Sequence, residues 1–449
     1  MRFKKGRGEV TVFLTLLFSI VSALVLTAVE SARAQAIRLM TEQVMQTSIH
    51  SCFGEYNQDL WEKYRLLAID ASYRGGRGSI DDVREHLLAY AERNFHIDAG
   101  ADWEKCDVED CAILSWRFLS DQNGNVLIDQ VIEEMTQRGA LSYRPDILHA
   151  KERMQEDDDS IFMYEFASAI ERSGDIPGNP ARKVFEIAIG TDPLDLVADG
   201  TRTGASFGAE RSSGRTLNRG NYSRGLRYAP DQTFLFDTYL ESFFGNHTRP
   251  LEHAVFSCEQ EYLVMGYAKE DDCLSSCAGK ILAQREYRNL EGMESNEEVL
   301  RRTEELAKKL CKQGGDLYYT QRSLIYAWAF AEAAVETGSL LHGAGAPMDH
   351  YTEPLIVPLQ DLKNFTDYCG AVSCEGESYQ DFLNGLLANV SQSQKAVRAL
   401  DLIEQNMRKL GHPGFYADAC VTYFEARMKV GSAYGHGCII EREYGYATY

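Results

Sequence analysis

The chain has 449 residues, room for two or three domains, and 44% hydrophobic residues, enough to fill real cores and to exclude a disordered polymer. Lys plus Arg number 46 and Asp plus Glu 67, so the formal net charge is −21. An acidic exterior repels phosphate backbones, and no nucleic-acid partner is expected.

The N-terminus is the first element. Arg2, Lys4, Lys5 and Arg7 precede Gly8 and Glu9, and an uncharged, mostly apolar run over residues 10–29 is closed by Glu30 and Arg33. About twenty helical residues cross a bilayer's hydrocarbon core. A cleaved secretory signal is the rival reading. Its apolar core is shorter, about 7–15 residues, although Ala32, Ala34 and Ala36 mimic a cleavage site. The length favours a retained single-pass anchor, with the basic cluster in the cytoplasm and the bulk of the chain extracytoplasmic at the cell membrane. Residues 31–52 lack Gly and Pro and carry Ala34, Ile37, Met40, Val44 and Ile49 at helical spacing, so the helix continues out of the bilayer as a stalk.

Beyond it, Tyr56, Leu60, Tyr64 and Leu67 predict a second helical piece within 55–74, broken by Gly75, Gly76 and Gly78. Ser79 then caps an amphipathic helix over 80–95. The aromatic and apolar mixture before Asn123-Gly124 predicts a short hairpin. Helix resumes over 128–139 and 146–172. Asp157, Asp158 and Asp159 lack the Gly and distal Glu of a calcium loop and are read as a solvated helix face.

Residues 199–228 are rich in Gly, Ser and Arg and poor in aliphatic side chains. A mobile linker or exposed loop is the first reading, a strand-rich excursion the second, with docking of its arginines on an acidic neighbour a further option. After Pro230 the pattern is helical over 233–244, 252–266 and 274–290, then a helix with a capping box from Ser295 to Glu298. A long apolar-faced helix covers 320–343. Arg322, Glu332 and Glu336 interrupt it, so it is no second span. One or two more helices lie in 378–411, and 419–430 reads as a strand.

The expected fold class is therefore mainly α (α+β): a transmembrane and stalk helix, a small α+β membrane-proximal region, and a larger helical C-terminal domain with a few short strands. The expected divisions are 1–9 cytoplasmic, 10–29 transmembrane, 30–198 stalk and membrane-proximal domain, 199–230 linker, and 231–449 helical domain.

Eleven cysteines are present. Outside the membrane, Cys106–Cys111 and Cys369–Cys374 are spaced to close small disulfide loops, while Cys273 and Cys277 share a helix face. None has the CxxC spacing of a common zinc site, and no metal or cofactor is expected. The chain has no HExxH, GxSxG, P-loop or GxGxxG. Asp349-His350 and His436-Gly437-Cys438 are adjacent only in sequence. Glu259 and Glu261 on one candidate helix, and Glu332 and Glu336 one turn apart on another, are either acid/base groups or partners of arginines such as Arg285, Arg288 and Arg322. Pairing is favoured, because charged side chains are rarely buried alone. No catalytic residue is assigned, and the chain is not expected to be an enzyme.

Gly8, Thr11, Val12 and Phe13, followed by the apolar helix and then Glu30 and Arg33, resemble the start of TadE/TadG-type pseudopilin-like proteins of tight-adherence (Tad) pilus loci. The chain departs from that pattern in having no acid between Val12 and Phe13; the nearest is Glu9, and cleavage after Gly8 stays open. The segments EYNQDLWEKYRLL, LEHAVFSCEQEYLVMGY, LIYAWAFAEAAVETGSLLHG and SYQDFLNGLLANVSQSQKAVRALDLIEQNM resemble an uncharacterised domain of clostridial and related Firmicutes proteins near such loci. The resemblance implies a structural component of a Tad-like pilus or secretion apparatus. Its partners would be pilin-like or Tad-apparatus membrane proteins and the lipid bilayer, with Gly8, Glu9, Thr11, Val12, Phe13, Glu30 and Arg33 as processing or assembly residues. The alternatives are an adhesin or binding ectodomain on a simple signal-anchor, and a membrane-tethered enzyme.

Overall fold

From Glu9 to Phe53 the chain contains neither Gly nor Pro, and helix α1 (Lys5–Phe53) runs unbroken through it until Gly54. At 1.5 Å per residue it is about 74 Å long. The computed structural model describes residues 5–73, 75–96, 106–138, 159–197, 202–208, 210–222, 232–347, 354–373, 375–433 and 435–446. Asp157, Asp158, Asp349, His350 and Cys374 lie outside them, as does the part of the expected 146–172 helix that precedes Asp159.

The chain falls into two compact units. The first comprises Met1–Gln122, Leu217–Gly225 and Pro413–Tyr449. After α1 comes α2 (Gln58–Tyr64), shorter than expected because Arg65 turns into the left-handed region (φ 56°) and the chain extends into β1 (Ile69–Asp70). Helix α3 (Ile80–Phe95) starts as predicted, with the Asp82 carboxylate accepting the Ser79 backbone N–H at 2.7 Å. Strand β2 (Cys106–Phe118) follows.

No hairpin forms at Asn123-Gly124. Gln122, Asn123 and Gly124 all take positive φ and lead into a helix. The partner of β2 is β3 (Cys420–Ser432), antiparallel from Cys106 opposite Ser432 to Phe118 opposite Val421. The predicted C-terminal strand is thus the centre of a four-stranded sheet. Strand β4 (Gly437–Gly445) returns along its other edge, and β1 pairs there too, Ile69 opposite Val421. Apolar residues of α1, α3 and this sheet form one core that includes Met45, Ile49, Phe53, Leu87, Phe424, Met428 and Ile440.

The second unit comprises Asn123–Thr216 and Leu226–His412 and is helical: α4 (Asn125–Gln137), α5 (Asp159–Ser173), α6 (Pro180–Gly190), α7 (Pro193–Val197), α8 (Thr233–Phe243), α9 (Glu259–Met265), α10 (Glu270–Ser295), α11 (Glu297–Leu310), α12 (Leu317–Leu341), α13 (Tyr379–Ala388) and α14 (Gln392–Lys409). Helix α12 is buried from Ser323 to Leu341 and packs against α5, α6, α10 and α11. Two expectations are corrected here. The helix expected over 252–266 is reduced to α9, and α11 is capped by Asn296, whose Oδ1 accepts from the N–H groups of Glu298 and Val299, rather than by a Ser295–Glu298 box. The mainly α (α+β) class stands, with its long apolar helix, small sheet and larger helical body.

Arg285 on α10 and Glu336 on α12 are both fully buried, with Nε donating to Oε2 at 2.6 Å. Asn289 adds a second donor to the same oxygen at 3.1 Å. Removing one member strands a buried charge. Arg285→Ala is expected to destabilise the protein by about 3–5 kcal/mol, and Arg285→Met with Glu336→Leu to recover most of the loss. Denaturant unfolding of the full-length protein in detergent measures both.

Candidate membrane helix and buried carboxylate network

Helix α1 has two halves with opposite surroundings. Thirteen large apolar side chains between Val10 and Val29 are exposed, Phe18 at 73%, whereas Ile37 is 2% exposed and Met45, Ile49 and Phe53 lie in the core of the first unit. Holding thirteen such side chains in water forgoes on the order of 20 kcal/mol. The hydroxyls within the run donate to the helix's own carbonyls: Thr15 to Val12, Ser19 to Leu16, and Thr27 to Ala23, at 2.8–2.9 Å. A polar side chain so satisfied is compatible with hydrocarbon. By length and composition this helix can cross a membrane.

The residues expected to process or assemble sit on α1 as follows. Gly8, Glu9, Thr11, Val12 and Phe13 lie on its first turns, with Glu9 through Phe13 exposed. Glu30 and Arg33 mark the end of the apolar run, 3.5 Å apart. Glu30 also meets Nε2 of His436, from the turn between β3 and β4, at 2.6 Å. Farther along, Thr41 faces the Cys438 thiol at 3.3 Å, and Phe53 packs on Phe424, Tyr444 and Tyr446. The C-terminal hairpin therefore lies along the stalk half of α1. His436 and Cys438 touch different residues of it and form no dyad with each other.

The close disulfide at Cys106–Cys111 is corrected. Both lie on β2, where five residues of extended strand separate them by about 16 Å, far beyond the reach of a disulfide between them. The Cys369–Cys374 loop lies outside the described residues through Cys374.

In the second unit the four glutamates singled out from sequence, Glu259, Glu261, Glu332 and Glu336, are all buried, and each is held by donors. Glu259 accepts from the Gly245 backbone at 2.8 Å and from Asn406 Nδ2 at 2.6 Å. Glu261 accepts from the His247 backbone at 2.9 Å and the Tyr379 hydroxyl at 2.8 Å, while its Oε2 is buried without a hydrogen bond. Glu332 accepts from the backbone N–H groups of Ile356 and Val357 at 3.0 and 2.7 Å. Glu336 has the arginine anticipated, Arg285. Burial pushes the carboxyls of Glu259 and Glu261 up to about 7, against the hydrogen bonds that lower them.

Sequence reasoning missed Glu270, whose Oε1 accepts from the backbone N–H groups of Ser257 and Cys258 at 2.6 and 2.9 Å. It also missed the approach of Cys258 Sγ to His247 Nδ1 at 3.9 Å. No local signal joins residues 247, 258, 270 and 379. Burial, with the charges of Glu261 and Glu270, holds Cys258 as a neutral thiol. Burial and His342 lower the pKa of His247, keeping it neutral. A neutral thiol, 1% exposed, beside a neutral imidazole is not the thiolate–imidazolium pair of a cysteine nucleophile.

Where it is described, the Gly/Ser/Arg-rich segment is a mostly exposed, irregular loop, as expected, and it is pinned at several points by the same chemistry. Arg215 grips Glu404 with two donors at 2.8 and 2.6 Å, and the Ser212 hydroxyl donates to the same carboxylate at 2.8 Å. The Ser213 N–H donates to Asp401 at 2.8 Å, and Phe207 stacks on Phe256 at 3.9 Å. The loop reading and the docking reading therefore apply together: the backbone is exposed, and Ser212, Ser213 and Arg215 dock on buried acids. Among the described residues, no group of three or more His, Cys, Asp or Glu side chains is arranged to hold a metal.

A family of unknown function (DUF5702) matches residues 191–432. The chain belongs to this family. No curated protein and no solved structure matches it. The DUF5702 segment contains α8 to α14 and β3, and with them Glu259, Glu261, Glu270, Glu332, Glu336, Asp401 and Glu404. Helix α1 precedes it.

Because the folded state holds protons on Glu259 and Glu261 up to about pH 7, and the unfolded chain releases them near 4.5, stability falls as pH rises through that window and levels off above it. Each carboxyl contributes at most about 3 kcal/mol to that fall. Denaturation midpoints are expected to be higher at pH 5 than at pH 7.5, and Glu261→Gln to flatten the profile.

Proposed function

We propose that this chain is a single-pass, membrane-anchored extracytoplasmic protein. It serves as a structural component of a Tad-like pilus or secretion apparatus, assembling with pilin-like partners through α1. The carrying observation is the division of that one helix: its first half exposes an uninterrupted apolar surface, and its second half is built into the core of a folded unit. A helix that only anchors needs no rigid continuation. One that must hold a domain at a set distance and rotation relative to neighbouring helices does, and the absence of Gly and Pro from Glu9 to Phe53 supplies it.

The basic residues before Glu9 favour a cytoplasmic N-terminus. The buried acids described above, Glu259, Glu261, Glu270, Glu332, Glu336, Asp401 and Glu404, support a structural rather than catalytic body, because each is engaged by donors within its own unit. In the assembly, the apolar face of α1 packs on neighbouring helices in the bilayer, and an acid at either end of the run is available to pair with a partner's charge. Glu9 is the better placed of the two, since Glu30 already has Arg33 and His436.

Two measurements test this. Cysteines placed between Leu14 and Leu26 are expected to crosslink to membrane partners in cells, and Glu9→Ala to lower the yield several-fold while Glu30→Ala changes it little. Unchanged yields in both variants would remove charge pairing. Replacing residues 1–30 with an unrelated anchor is expected to abolish assembly while leaving the protein in the membrane; retained assembly would favour a binding ectodomain on a simple anchor.

A further inference from the structure

The first unit contains a cavity of about 230 Å3 lined by Glu55, His86, Ala89, Tyr90 and Arg93. Glu55 follows the end of α1, and the other four share one face of α3 at spacings of three, four and seven residues. The carboxylate of Glu55 is already engaged. Oε1 accepts from the Tyr90 hydroxyl at 2.7 Å, and Nδ1 of His86 lies 3.2 Å from Oε1 and 3.1 Å from Oε2. Beneath the imidazole lies the ring of Tyr73, stacked at 3.7 Å. Tyr73 takes φ 44°, a conformation that costs a bulky residue energy and that recurs where a side chain is held for a purpose.

A carboxylate only accepts, so Nδ1 is the nitrogen that donates to Glu55, and a His86 carrying that one proton presents its lone pair at Nε2. Nε2 has no hydrogen-bond partner among the described residues, and the side chain is 40% exposed. Arg93, two turns along the same face, has no ion-pair partner among them either, in a chain with 21 more acids than bases. The cavity thus offers a single lone pair at Nε2 and a guanidinium with free donors, while its own carboxylate is occupied.

We propose that this cavity is a binding site for a small oxyanion that retains one proton, a hydrogen phosphate or phosphomonoester. Its P–OH donates to His86 Nε2 and its anionic oxygens accept from Arg93, which suits guanidinium geometry. The cavity lies below the about 300–1,000 Å3 of drug-sized sites, so the ligand is small. A phosphate group has two sources near a membrane, a soluble molecule or a lipid headgroup. Phe53 lies about 36 Å along α1 from the end of the apolar run at Val29, well outside the headgroup layer of the membrane in which that run would sit, so the soluble source is the one proposed.

Calorimetric titration of the full-length protein in detergent with inorganic phosphate tests the site. Saturable single-site binding is expected, with sulfate, which carries no proton at neutral pH, weaker by about tenfold or more. His86→Ala and Arg93→Ala are each expected to weaken phosphate by about tenfold or more, the loss of one charge-assisted hydrogen bond. Ala89→Trp, which fills the cavity and removes no polar group, is expected to abolish binding while the circular dichroism spectrum is unchanged. Vesicles containing phosphatidic acid form the second arm and are expected not to compete. Absence of phosphate binding, equal affinity for sulfate, or undiminished binding in both His86→Ala and Arg93→Ala would overturn the site. Binding to phosphatidic acid vesicles alone would overturn the soluble source.

Discussion

Helix α1 imposes a constraint that the rest of the first unit satisfies. An α-helix with no breaker over 45 residues cannot fold back to cover its own apolar surface, so each part must find its cover elsewhere. The stalk half finds it in α3 and in the sheet, whose central strand comes from the C-terminal tail more than 360 residues later. Phe53 is the clearest case: its ring is packed by Phe424, Tyr444 and Tyr446, all from the last two strands. The apolar half has no cover among the described residues, and the cost of leaving it in water is larger than a typical domain's whole stability. A hydrocarbon environment would remove that cost, and by length and composition the helix can cross a membrane.

The second unit is organised by a different rule. Its helices bury an unusual number of carboxylates, and nearly every one is matched to a backbone amide, an amide side chain, a hydroxyl or an arginine. Such groups add little net stability over well-packed apolar residues, but they punish alternatives, because a helix shifted by one turn leaves a charge without its donors. In α12 this explains how Glu332 and Glu336 occur on a helix otherwise fit for a hydrophobic core. Glu332 ties the helix to the loop at Ile356 and Val357, and Glu336 ties it to Arg285 on α10. The same rule orders the Gly- and Ser-rich segment through Arg215 on Glu404, where composition alone describes a solvated loop.

Much of the architecture was legible because it is local. The Gly- and Pro-free run defined α1, the Ser79 cap and apolar period defined α3, and the β-branched and aromatic residues of Cys420–Ser432 defined a strand. The errors were also local in origin. Asn123-Gly124 is a strong hairpin signal, yet turn chemistry names no partner, and three successive positive φ values there lead to a helix instead. Cys106 and Cys111 are close in sequence, but extended backbone holds them apart.

By itself, the sequence determined that one apolar helix begins the chain, that its apolar character outruns the needs of a soluble core, and that a larger helical body follows. These are properties of neighbouring residues, set by side-chain period and backbone freedom. Tertiary structure alone decided that the tail supplies the central strand, which buried acid takes which donor, and that Glu55 meets His86 and Tyr90 across 31 and 35 residues. The physical reason is that hydrogen bonds and ion pairs between distant segments depend on where packing places them, and no spacing in the chain records that.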